Sequence, residues 1–153
     1  MGTSRVPDLI DALVPRLAAS SDLASVKVVD GPLVTDSAAL EWLFVGYDGD
    51  QEGDFIAATA QQEWAGLGAK KKNEDITLTC AIVVERGSTE VRSCRSRTYE
   101  IFAAVENVLR NDPSLGFSTP TVCAVTEHTF HQAQTPDGIQ GRLPFTVTCT
   151  TRI

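Results

Sequence analysis

His128 and His131 are the only histidines in the chain, and histidine is the side chain best suited to bind a metal or move a proton near neutral pH. They stand three apart on a stretch that reads as one strand, TVCAVTEHTFHQ, so their side chains point to opposite faces. That geometry does not suit a shared metal. With Cys123 and Glu127 as the nearest further donors, the four convergent ligands that zinc requires are missing, and no signature supports a Cys–His nucleophile pair. The four cysteines, Cys80, Cys94, Cys123 and Cys149, form no C-x-x-C and each lies inside an apolar pattern. They read as small buried hydrophobes of a reducing compartment, with a disulfide between neighbouring strands left open.

Two charged clusters remain. Asp48-Gly49-Asp50-Gln51-Glu52-Gly53-Asp54 sets oxygens at alternate positions, as calcium ligands are set, but lacks the EF-hand spacing with its bidentate glutamate at position twelve. It reads as an acidic loop. Lys70, Lys71 and Lys72 suit phosphate or a partner's carboxylates, with Glu74 and Asp75 following at once to blunt the patch. No Gly-rich phosphate loop, nucleophile elbow or paired-helix acid motif is present. The expectation is therefore no catalytic residue, no metal and no cofactor.

The elements that must carry these residues fit one domain spanning 1–153, since 153 residues with 42% hydrophobic content suffice for a single core. A net charge of -7 argues against a general nucleic-acid binder. The opening MGTSRVPDLIDAL has no apolar leader region, and no apolar run approaches the roughly 20 residues of a membrane span. These features predict a protein with neither a membrane anchor nor an address signal. Asp8 is placed to cap a first helix striped by Leu9, Ile10, Leu13, Val14 and Leu17, with Pro15 as a possible kink. Strands are predicted at 26–29, 41–47, 55–64 and 76–87. The linker at 65–75 is expected to extend beyond the body. A second helix is predicted over 89–111, its apolar positions Val91, Cys94, Thr98, Ile101, Phe102, Val105, Val108 and Leu109 repeating every three or four residues. Its other face carries Arg92, Ser96, Glu106 and Arg110, and Asp112-Pro113 ends it. A closing hairpin turns at Pro136-Asp137-Gly138. This order is α+β: a mainly antiparallel sheet with two helices packed on one face.

In the last strand Leu143, Phe145, Val147 and Cys149 fall on one parity and Thr146, Thr148, Thr150 and Arg152 on the other; Thr77 and Thr79 repeat the device at 76–84. Threonine favours strands without making a greasy surface, so it suits a face bare in a monomer and covered in an assembly. An ordinary solvated sheet face gives the same pattern. The threonines, with Leu67 and the three lysines of the linker, are the candidate subunit or partner interface.

In order, the N-terminal helix, EWLFVGYDGD, Trp64-Ala-Gly-Leu-Gly68 before a long strand, the helix RSRTYEIFAAVENVLRNDPSLG and a final hairpin ending FTVTCTTRI resemble a phage tail terminator. The resemblance implies an α+β subunit that forms a hexameric ring, caps the tail tube at its head-proximal end, stops its polymerisation and docks to the head connector or stopper. It implies self-association, a tail tube partner, a place in the virion after assembly in the host cytoplasm, and DNA passing through without specific binding. It implies no catalysis. On this reading Asp48, Asp50, Glu52 and Asp54 have two candidate places, the lumen or its rim, where carboxylates repel phosphates, and an outward solvated loop. Another head-tail neck protein, a tail tube subunit and a small cytosolic ligand-binding or hydrolytic α+β domain are the alternatives.

Overall fold

The computed structural model describes residues 2–32, 39–68 and 70–153; Ala69, within the linker discussed above, lies outside the described residues. The elements run α1 (Val6–Ala18), a 3-10 turn (Ser21–Leu23), β1 (Lys27–Asp30), β2 (Glu41–Val45), β3 (Ala58–Trp64), β4 (Lys72–Arg86), α2 (Val91–Asn111), β5 (Val122–His128), β6 (His131–Thr135) and β7 (Gly138–Arg152). The fold is α+β, with a seven-stranded sheet in the order β1-β2-β4-β7-β5. β3 pairs with residues 72–78 of β4, ahead of the stretch that β2 takes, and β6 with residues 138–142 of β7, ahead of the stretch that β5 takes. All pairs are antiparallel except β1 with β2.

The two 15-residue strands β4 and β7 form the spine: β7 alternates buried and less buried residues at the strand period along most of its length, and β4 does so up to Cys80, beyond which Ala81–Val84 are buried on both faces. Ile76, Leu78, Cys80, Ile82 and Val84 of β4, with Leu143, Phe145, Val147 and Cys149 of β7, bury their side chains in the main core. Leu9, Leu13 and Leu17 of α1 and Ile101, Val105 and Leu109 of α2 close that core from one side. α2 approaches β7 closely at Gly141, where an added methyl would stand 2.8 Å from Thr98 Oγ1 and 3.2 Å from Cys94 Sγ.

Several expectations change at the boundaries. Asp8 is not the cap of α1; the N-cap position is Arg5, whose side chain makes no capping bond, and Asp8 instead pairs with Arg5 at 3.3 Å. The helix runs on past Pro15 to Ala18. The predicted strand over 55–64 begins only at Ala58, and the predicted single strand TVCAVTEHTFHQ is two, β5 and β6, with a register shift between Val125 and Glu127. The linker is shorter than its composition suggests, since Lys72, Asn73, Glu74 and Asp75 already pair with Trp64, Glu63, Gln62 and Gln61 across the β3–β4 hairpin. Gly and Lys content reads as loop, while strand pairing on both sides of β4 overrides it.

Candidate assembly surface

The threonines assemble as the alternation implies. Thr77 lies opposite Thr148 and Thr79 opposite Thr146 across β4 and β7, with Asp75 opposite Thr150. Thr59 of β3 extends the row beyond Thr77, and Ala124 of β5 extends it beyond Thr148. Thr126 and Thr146 share a hydroxyl hydrogen bond at 3.3 Å, and Thr150 donates to Asp75 at 3.0 Å. Thr77, Thr79, Thr146 and Thr148 are half-buried and Thr150 is exposed, on the face away from the helices.

That face is bare over only half its extent. Toward β1 and β2 a second apolar cluster covers it: Val29, Phe44, Tyr47 and Val83, with Trp42 packed alongside. Trp42 stacks on Phe44, and Phe44 meets Tyr47 edge-on. The acidic loop folds down over the same face. A methyl on Gly49 would stand 3.3 Å from side-chain atoms of Ala81, Val83 and Arg142, and Gly49 keeps the backbone at φ +77. Arg142 donates to the Asp48 carbonyl at 2.8 Å. Asp48 Oδ1 accepts from the Asp50 amide, Asp50 Oδ1 from that of Glu52, and Asp54 Oδ1 from that of Ile56. The first half of the loop thus lies flat on the sheet, and Glu52 and Asp54 face solvent. Phe55, exposed, stacks on Tyr47 at its end.

The β3–β4 hairpin tip contrasts with this sheltered loop. Leu67 is fully exposed and Trp64 is 67% exposed. Lys70 and Lys71 are exposed, whereas Lys72 stands over the Trp64 ring at 5.4 Å and its backbone pairs with Ile153 in both directions. Trp64, Gly66, Leu67, Gly68 and Lys70 border an open hollow of about 510 Å³. Glu74, expected to blunt the lysine patch, does not: it is fully buried, accepting the Arg5 amide at 2.7 Å and the Gln62 side-chain amide at 2.7 Å. Its carboxylate thereby serves the N-terminus of α1, where helix amides favour a negative charge, and the lysines keep theirs. A second hollow of about 450 Å³ lies between the N-terminal arm and the end of β7, bordered by Arg5, Asp8, Lys71, Ser118, Thr119 and Arg152 among others.

The residues weighed for chemistry sit in structural settings. His128 ends β5 and packs on α2, 4.9 Å from Phe102 between ring centres and 3.3 Å from the Tyr99 hydroxyl, while His131 begins β6. Among the described residues no group of three or more His, Cys, Asp or Glu side chains converges as a metal site. All four cysteines are free and buried. Burial pushes the Cys80 thiol up to about 12 and raises that of Cys94. Cys123 faces Cys149 across β5 and β7, and a hydrogen bond to Cys149 together with burial holds its thiol protonated well above the usual range. Sulfur enclosed in the core is a poor nucleophile. Among the described residues no helix is long and apolar enough to cross a membrane.

One polar centre escaped the sequence reading. Glu41, at the start of β2, is buried and takes bonds from Arg97 at 2.8 and 3.0 Å, Arg86 at 2.9 Å and Ser25 at 3.0 Å. The Arg97 hydrogen bonds hold its carboxyl down at about 2 against the opposing effect of burial, with Arg86 and Ser25 assisting. A lone carboxylate opening the apolar stretch WLFV was the available signal. The Asp112-Pro-Ser-Leu-Gly116 stretch is likewise structural: Asp112 accepts from Arg16 at 2.9 Å and Leu115 is buried, which ties the end of α2 to α1. A scan against protein-family models finds no match to this chain, and a search of curated proteins also returns none.

Proposed function

We propose that the chain is the repeating subunit of a ring at the head-proximal end of a phage tail, a terminator-like structural protein that caps the tail tube, ends its polymerisation and joins the tail to the head connector. The observation that carries this reading is the half-bare sheet face. Threonines of β3, β4 and β7 stand in register there, continued by Ala124 of β5, without a covering element among the described residues and beside a hairpin that holds a tryptophan and a leucine in solvent. A monomer gains nothing from exposing those side chains, and burial against a neighbour is favourable. Support for the finer identity comes from the stretches that resemble tail terminators, whose order along the chain matches the order of the elements. The work is assembly, without catalysis, metal or cofactor. Its partners are further copies of itself, six to a ring, then the tail tube and the connector. A subunit charge of -7 suits a channel that must not hold the phosphates of passing DNA.

Negative-stain images of the purified protein, alone and mixed with tail tubes, test this. Six-fold rings, free or seated on tube ends, are expected; a protein that stays monomeric and leaves tube ends bare overturns the reading. The hollow between Arg5, Lys71 and Arg152 favours a second reading, a small anion-binding domain. Under that reading the protein is a monomer whose melting temperature rises with added phosphate.

A further inference from the structure

Among the described residues the large apolar side chains left exposed are Leu40, Phe55, Ile56, Trp64, Leu67, Val91, Tyr99 and Val122. Two pairs of them are joined to strong, opposite charge. Trp64 and Leu67 share the hairpin tip with Lys70 and Lys71, in a chain that has only one lysine outside positions 70–72, Lys27. Phe55 and Ile56 directly follow the loop of Asp48, Asp50, Glu52 and Asp54. An exposed apolar pair beside lysines and an exposed apolar pair beside carboxylates are complementary in both respects that govern recognition, burial and charge.

The two patches cannot meet within one molecule. β3 begins just after Ile56 and ends at Trp64, and its seven residues hold the patches about 20 Å apart on a strand paired throughout with β4. We infer that the β3–β4 hairpin tip of one subunit seats on the Glu52–Ile56 segment of a second copy of this chain, Lys70 and Lys71 meeting Glu52 and Asp54 while Leu67 packs on Phe55 and Ile56. Because the two patches differ, the contact is head-to-tail. Such a contact either closes into a ring or grows into a filament. The inference rests on the ring reading above and adds its register. It also sets the acidic loop at the seam between subunits, engaged by a neighbour's lysines rather than by the DNA channel.

Charge exchange tests it. Lys70→Glu/Lys71→Glu and Glu52→Lys/Asp54→Lys alter only exposed side chains, and circular dichroism melts establish that each variant stays folded. Sedimentation of each variant alone is expected to show association weakened at least about tenfold relative to the unsubstituted protein, whose own association weakens between about 0.05 M and about 0.5 M salt. Mixed in equal amounts, the variants restore assembly, since each presents the charge that the other's patch now requires. If the unsubstituted protein assembles and either variant alone assembles equally well, or the mixture fails to recover, this contact is wrong and the ring reading stands. If the unsubstituted protein is monomeric throughout, both alone and mixed with tail tubes, the ring reading fails and takes this contact with it.

Discussion

Glu41 gathers two arginines and a serine from three separate parts of the chain, joining the segment before β1, the end of β4 and the N-terminal third of α2. Removing one member of a buried charged cluster leaves the others without their partner, and that cost exceeds the worth of any single bond. Glu41→Gln is expected to lower stability by about 2 kcal/mol at pH 7, read by urea denaturation. The pH dependence follows from the depressed carboxyl. The folded protein holds it ionised to about 2 against an ordinary 4.5, so the unfolded chain binds the extra proton between those values. The stabilisation is complete above 4.5 and is lost as pH falls through 2. The gap between parent and variant should therefore narrow toward pH 2; a constant gap from pH 7 to pH 2 excludes this assignment. Arg97 shows why such a cluster resists reading in sequence. Period and polarity place it beside the core stripe of α2, but its partner lies 56 positions away, and nothing local encodes that meeting.

At the scale of elements, the periodic signals were legible and the boundaries were not. Alternation in β4 and β7 and the stripe of α2 identify which residues face the core, because burial selects directly for period. Failure came where pairing partners decide. The start of β4 looks like linker until β3 and Ile153 are seen on either side of it, and the bulge inside β5, between Val125 and Glu127, has no single-residue signature. Glu74 is the sharpest case, a carboxylate in a lysine-rich stretch that turns out to hold the N-terminus of α1. Glu74→Ala should strip the Arg5 amide and Gln62 of their acceptor, lowering stability by about 2 kcal/mol and speeding hydrogen exchange in α1 ahead of the β4–β7 ladder. Uniform acceleration across the chain would instead mean that α1 docks independently of this carboxylate. Because Lys72 is the first residue of β4, substitution probes the lysines of the hairpin more cleanly than their deletion.

For the whole molecule, the threonine row and the hairpin carry the proposal. The row was read from parity alone, but the aromatic cluster that covers its neighbouring half was not, since Trp42, Phe44 and Tyr47 in a continuous apolar strand give no hint of which face each takes. Thr148 sits in the middle of the bare half, between Thr77 and Ala124. Thr148→Arg should change monomer stability by no more than about 0.5 kcal/mol, as a surface substitution does, yet reduce ring formation at least about tenfold. Light scattering that shows rings unaffected would return the threonines to an ordinary wet face.

The ladder between β4 and β7 runs in unbroken register from Asn73 opposite Arg152 to Arg86 opposite Ile139. Tension applied at Arg86 and Arg152, which lie at opposite ends of the paired strands, loads every rung at once, whereas tension at Arg86 and Ile139 opens the rungs one after another. The same set of hydrogen bonds is thus tough in shear and weak in peeling, and the direction in which neighbours pull on a subunit decides which of the two it displays.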